Sequence, residues 1–217
     1  MQSIQTVSEN TIYVGASDRR LAKFENLFPI PRGVSYNAYV ILDEKTALLD
    51  TADASVGAQF LENVAAALDG RKLDYLIVDH MEPDHAAMIE AVLVRWPDLR
   101  LVVNAKTLPM LKMYFPTDSA AIDDALVVKE GDTLDLGKHK LTFVMAPMVH
   151  WPEVMMTFDT TTGTLFSADA FGTFGALEGA LFADEVDFAG KWLDDTRRYY
   201  TNIVGKYLSL IHISEPT

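Results

Sequence analysis

Apolar and polar positions along the chain switch repeatedly between a two-residue and a helical period. Short β-type runs come first: Thr11–Ala16, a longer half-alternating stretch at Ser35–Leu42, and Thr46–Leu49, which leads into Asp50-Thr51. Phe60, Leu61, Val64 and Leu68 then recur at helical spacing, with Gly70 placed for a C-cap. Leu73–Val78 reads as a buried strand and His80–His85 as a loop after it. Met88, Ile89, Val92, Leu93 and Trp96 form the stripe of a second helix, stopped by Pro97. A strand at Leu101–Val103 and a helix at Thr107–Phe115 continue the alternation. Five β-like runs follow at Leu126–Val128, Thr133–Leu136, Lys140–Ala146, Val154–Phe158 and Thr164–Ser167, with a hairpin around Gly137-Lys138. A long amphipathic helix is predicted from about Asp187 to Tyr207. Alternating elements in one half and crowded hairpins in the middle place the fold in the α/β or α+β class, a mixed sheet system covered by helices.

At 217 residues, 49% hydrophobic and 23% charged, the chain can bury one large core, with neither repeats nor low-complexity tracts. No apolar run approaches the ~18 residues of a membrane span. The first ten residues lack the basic and apolar regions of a secretory signal. The absence of cysteine excludes disulfides, thiolate metal sites and a cysteine nucleophile, and suits a reducing, cytoplasmic setting. A net charge of −13 repels phosphate backbones, so nucleic acid is not an expected partner; metal cations or a basic redox partner are compatible, as is solubility alone. Ser209–Thr217 has neither helical period nor capping logic, so a domain of residues 1–208 followed by a non-native tail at 209–217 is expected.

The chemistry concentrates in His80-Met81-Glu82-Pro83-Asp84-His85, four potential ligands in six residues. The segment follows a buried strand, where open sheets place their ligand sites, and Asp84 is placed to N-cap the next helix. Imidazole with carboxylate and no thiolate suits Fe, Mn or Zn. So many donors in one loop favour two ions over one. His150 and Asp169 also follow strands, so their loops are expected to converge with His80–His85 on one rim.

The pattern H-x-E-x-D-H, a distant His150 and Asp169 nineteen residues after it resembles the flavodiiron proteins. Tyr36-Asn37-Ala38-Tyr39, Leu49-Asp50-Thr51, His150-Trp151-Pro152-Glu153 and Ser167–Gly172 agree with it, and the resemblance runs to about Tyr207. It implies an αββα four-layer metallo-β-lactamase-like sandwich carrying two iron ions. His80, Glu82 and His150 would hold one iron, Asp84 and His85 the other, and Asp169 would bridge them. The family has one more histidine beyond residue 217; His212 is too early to take that role. The resemblance further implies reduction of O2 to water or NO to N2O with electrons from FMN. The flavin belongs to a flavodoxin-like domain that this chain lacks, and rubredoxin-like donors and a head-to-tail homodimer go with it. The fragment alone is expected to be inactive or weakly active.

Lesser candidates surround that set. Tyr199 and Tyr200 are pocket candidates or packing residues, and no catalytic residue is assigned beyond the metal site. Trp151 and Phe171 are expected to wall the site against water. Asp50 and Asp79 either orient ligand histidines or solvate their loops. His139 reads as a solvated turn residue, and Asp194-Asp195 beside Arg197-Arg198 as a solvated helix face. The competing functions are a binuclear zinc hydrolase, disfavoured because Glu82 stands where such enzymes place His, and a metal-free binding domain, disfavoured by the intact motif.

Overall fold

A computed structural model describes residues 3–117 and 119–207. The elements run β1 (Gln5–Ser8), β2 (Thr11–Tyr13), β3 (Ala16–Asp18), β4 (Lys23–Phe24), β5 (Phe28–Pro29), β6 (Val34–Tyr36), β7 (Tyr39–Leu42), β8 (Thr46–Leu49), α1 (Gly57–Leu68) and β9 (Tyr75–Ile77). Then come α2 (Pro83–Ala86), α3 (Ile89–Arg95), β10 (Arg100–Asn104), α4 (Thr107–Tyr114), α5 (Ser119–Asp123), β11 (Leu126–Val128), β12 (Thr133–Asp135), β13 (Lys140–Met145), β14 (Met155–Asp159), β15 (Thr164–Phe166), α6 (Phe188–Lys191) and α7 (Leu193–Tyr199).

Two sheets carry the structure. One has seven strands in the order β1-β2-β7-β8-β9-β10-β11, antiparallel as far as β8 and parallel from β8 to β11. The other is the antiparallel meander β12-β13-β14-β15. Strand alternation divides the apolar residues between two cores. Ile41, Ala47, Leu49, Ile77 and Val102 face Leu141, Phe143, Met155 and Phe166 of the second sheet. Their neighbours Val40, Leu48, Leu76, Leu101 and Val103 join Phe60, Val64, Val92 and Leu111 of the helices. Each large side chain so buried contributes about 1.5–3 kcal/mol, and this double burial makes the αββα sandwich that the sequence implies.

Several elements differ from the sequence expectation. Thr11–Ala16 and Ser35–Leu42 each divide in two: β2 and β7 belong to the large sheet, while β3 and β6 peel away as a separate pair. Gly15 permits the divergence, since a Cβ there would lie 2.1 Å from the Tyr36 carbonyl oxygen. The predicted last helix breaks into α6, α7, a π-helical turn at Tyr200–Val204 and a 3₁₀ turn at Gly205–Tyr207. The strands β1, β4 and β5 and the helix α5 are too short to show a period. The tail at 209–217, His212 included, lies outside the described residues. Among the described residues, no helix is long and apolar enough to cross a membrane.

His139 is the clearest reversal. It is 1% exposed, and its Nδ1 donates to Asp159 Oδ2 at 2.8 Å. Its backbone N–H donates to Asp43 Oδ2, while Thr162 Oγ1 donates to the same Asp159 oxygen. The β12–β13 turn is therefore bolted to the β14–β15 turn, and a turn covered by another turn is not solvated. Replacing His139 with Ala removes one hydrogen bond from the buried Asp159 carboxylate and is expected to cost about 1–3 kcal/mol in urea unfolding. A change within about 0.5 kcal/mol, normal for a surface position, would return His139 to the solvent.

Candidate metal centre

The ends of β8, β9, β13 and β15 share one rim, and each leads into a loop that carries a charged or imidazole side chain. After β9 the chain delivers His80, Glu82 and, in the single turn of α2, Asp84 and His85. Glu82, with extended backbone, is the N-cap of α2, and Pro83 takes the first helical position. Proline's fixed φ and missing N–H suit that position, so Asp84 falls inside the turn and is not the cap. The loop after β13 carries His150, and the one after β15 carries Asp169. Asp50, Met148 and Ala168, beside these loops, have φ of 53°, 70° and 46°, a left-handed backbone that costs non-glycine residues about 1–2 kcal/mol each.

One donor atom from each of His80, Glu82, His150 and Asp169 lies within 4.8 Å of the others. His150 Nε2 is 2.9 Å from Glu82 Oε2 and 3.1 Å from Asp169 Oδ2. His80 Nε2 is 3.4 Å from Glu82 Oε2 and 3.5 Å from Asp169 Oδ2. The other Asp169 oxygen, Oδ1, faces His85 Nε2 at 3.0 Å. Asp169 thus presents one oxygen to His80 and His150 and the other to His85. His80 Nε2, Asp84 Oδ1 and Asp169 Oδ2 are buried without a well-aligned hydrogen bond, which native interiors rarely tolerate in the absence of a further partner.

The cluster perturbs its own ionisation. Burial opposes charge on every member, yet the pairings win for most. Burial works against the Glu82 carboxylate, but hydrogen bonds from His150 and His80 hold it down at about 2. Burial likewise opposes charge on Asp169, and His85, His150 and His80 together hold it well below the carboxylate range. His150, against its desolvation, is raised to about 9 by Asp169 and Glu82. Asp84 goes the other way: burial first, then the Asp169 and Glu82 charges, push it up to about 7.

A second ring fixes the histidines. His85 Nδ1 donates to Asp50 Oδ2 at 2.9 Å, and Asp50 Oδ1 accepts from the Asp79 and His80 backbone N–H groups. His80 Nδ1 donates to Glu153 Oε1 at 2.8 Å, a partner the sequence reading missed. A carboxylate three residues after a candidate ligand was its only signal. Among the described residues Asp79 bonds no histidine side chain. Two residues beyond Ile77, it faces the second sheet as Ile77 does and accepts from Thr157 Oγ1. Glu25, at the tip of the β4–β5 hairpin, was also missed: its carboxyl lies near that of Glu82, and partial desolvation with this neighbouring charge raises its pKa. Nothing local in the sequence signals that contact.

A cavity of about 380 Å³ opens beside Asp84, His85 and Asp169, and Tyr199 lines it. Tyr199 is buried, and desolvation followed by the Asp169 and Asp84 charges keeps its phenol protonated. Tyr200 does not line the cavity and packs against the large core. Trp151 stacks edge-on against His80, with ring centroids 5.4 Å apart, and shields it. Phe171 is 50% exposed and sits at the mouth without sealing it. Asp195, expected on a solvated face, pairs with Arg32 and Arg198, whereas Asp194 and Arg197 stay exposed.

His150 carries a testable consequence. Its folded pKa lies above the ordinary histidine value, so its stabilisation is complete below about pH 6.5 and is lost as the pH rises through about 9. Chelator-treated protein is therefore expected to melt at a lower temperature at pH 9 than at pH 6.5. Adding a divalent metal at pH 7.5 is expected to release protons, since ligand histidines must be unprotonated. Metal uptake without proton release, read by an indicator dye, would contradict the arrangement.

The sequence family described as ODP family beta lactamase matches residues 34–203. A nitric oxide reductase of Moorella thermoacetica is 36% identical over 207 residues, covering 94% of this chain and 50% of that protein. Among solved structures, the rubredoxin oxygen:oxidoreductase of Desulfovibrio gigas superposes with a TM-score of 0.88 at 31% identity, over 96% of this chain and 51% of its own. The flavodiiron protein of Giardia intestinalis does so with a TM-score of 0.88 at 27% identity, over 99% and 53%. The chain thus spans about half the length of the relatives it matches. The matched family, the fold and the rim of histidines and carboxylates agree: this chain belongs to the flavodiiron family and carries its β-lactamase-like domain.

Proposed function

We propose that residues 1–208 form the di-iron domain of an oxidoreductase that reduces O2 to water, NO to N2O, or both, with electrons from FMN. The observation that carries this reading is the two-sided placement of Asp169, one oxygen toward His80 and His150 and the other toward His85. The donor set suits iron: imidazole and carboxylate with no thiolate, and buried orphan atoms on His80, Asp84 and Asp169. In the proposed assignment His80, Glu82 and His150 hold one ion, Asp84 and His85 the second, and Asp169 both. A bound iron pair supplies a Lewis-acid template and electrons for a diatomic substrate.

The protein's own groups then have defined tasks. Glu82, Asp84 and Asp169 bring negative charge that stabilises the oxidised metal state. The protonated Tyr199 phenol lines the cavity beside Asp169 as a hydrogen-bond donor. Trp151 keeps water from His80. Glu82 in place of a histidine weighs against the zinc hydrolase reading, as do the relatives named for NO and O2 reduction. A flavodoxin-like FMN domain, a rubredoxin-type donor, a head-to-tail homodimer and a cytoplasmic setting complete the proposal. The relatives' names and the roughly twofold greater length of those proteins support the flavin domain and the donor, the absence of cysteine suits the setting, and the homodimer rests on the family resemblance alone.

Protein expressed with ample iron and purified without oxygen is expected to retain iron in preference to zinc, by elemental analysis and electron paramagnetic resonance. Asp169→Ala is expected to remove most of that iron, because one carboxylate serves both ions. In the protein joined to its flavin domain, the same substitution is expected to abolish O2 and NO consumption. Stoichiometric zinc from iron-replete cells, or full turnover by Asp169→Ala, would overturn the proposal.

A further inference from the structure

Glu153 has no assigned part in this site, yet it is a fully buried carboxylate beside it. It is 1% exposed. One oxygen, Oε1, accepts both the His80 Nδ1–H at 2.8 Å and the Met81 backbone N–H at 3.0 Å. The other, Oε2, is buried with no partner, so the carboxylate is committed to this contact alone. Its backbone is fixed as well. The Asn104 side chain donates from Nδ2 to the Glu153 carbonyl, while its Oδ1 accepts the Lys106 and Thr107 N–H groups at the start of α4. The loop that brings His150 therefore also brings a clamp for His80, and that clamp is tied to a helix.

The geometry points to Glu153 as a positioning residue that sets the tautomer and the electron richness of His80. A proton held on Nδ1 leaves Nε2 free to face Glu82 and Asp169. Negative charge on the far side of the ring makes that nitrogen a stronger donor, which favours the more oxidised metal. Asp50 does the same for His85, so each histidine facing Asp169 from within the His80–His85 loop has its own carboxylate. His150 Nδ1 has no such carboxylate among the described hydrogen bonds. This inference rests on the proposed ligand role of His80.

The test uses two substitutions and one control, each on protein loaded separately with zinc and with iron. Glu153→Ala removes the clamp and is expected to speed stripping of either metal by a chelator about 10–100-fold. Glu153→Gln keeps an acceptor for His80 but loses the charge. It is expected to raise the midpoint potential of one iron in a redox titration followed by electron paramagnetic resonance. The control, Asn104→Ala, loosens the same loop without touching the carboxylate. It is expected to lower the melting temperature and to move the potential by less than Glu153→Gln does. Wild-type release rates and potential in both Glu153 variants would overturn the inference, as would an equal potential shift in Asn104→Ala. If Glu153→Ala does not fold, Glu153→Gln decides. If wild-type protein takes zinc and refuses iron, the proposed function fails, and zinc release still tests the clamp.

Discussion

The structure depends on holding one carboxylate, Asp169, between imidazoles that reach it from different loops. Its two oxygens lie 3.0 Å from His85 Nε2 and 3.1 Å from His150 Nε2, while Glu82 crowds the same space. Glu82 and Asp169 both lie against His150 Nε2, and like charges brought so close repel strongly in a partly buried setting. Only counter-charges make the cluster tolerable: protons on the histidines when metal is absent, cations when it is present.

The scaffold is arranged to withstand that repulsion. The two sheets meet through a dry layer of aliphatic and aromatic side chains, which fixes the strand ends to one another before the loops begin. The Met155 N–H bonds the Asp79 carbonyl and Thr157 bonds its carboxylate, stitching the sheets together beside the rim. Thr51 grips the His85 carbonyl through both its N–H and its hydroxyl. The Thr51 contacts brace the left-handed backbone at the adjacent Asp50, which brings that carboxylate inward. Strain of this kind persists only where surroundings over-determine it, and it gathers at functional sites.

The cavity lies on one side of Asp169, next to Asp84, His85 and Tyr199, while Trp151 covers the His80 side. Access to the cluster is thus asymmetric. The half-exposed Phe171 leaves the mouth of the cavity in contact with solvent.

The candidate donor set was legible in the chain because most of it is local. Six consecutive residues carry four of the candidate ligands, and His150 and Asp169 stand just after strands that the two-residue period reveals. The sheet-forming runs from Thr46 to Thr164 were legible for the same reason, since burial on alternate faces writes itself into neighbouring positions. Tertiary structure alone decided the rest. Whether Thr11–Ala16 is one strand or two depends on Gly15 meeting a carbonyl 21 residues away. His139 is buried because Asp43 and Asp159 close over it, and Glu25 meets Glu82 only when a hairpin folds across the rim. Glu153, 73 residues from His80, became its partner through sheet packing. Such pairings join positions whose separation carries no period, so no sequence pattern records them.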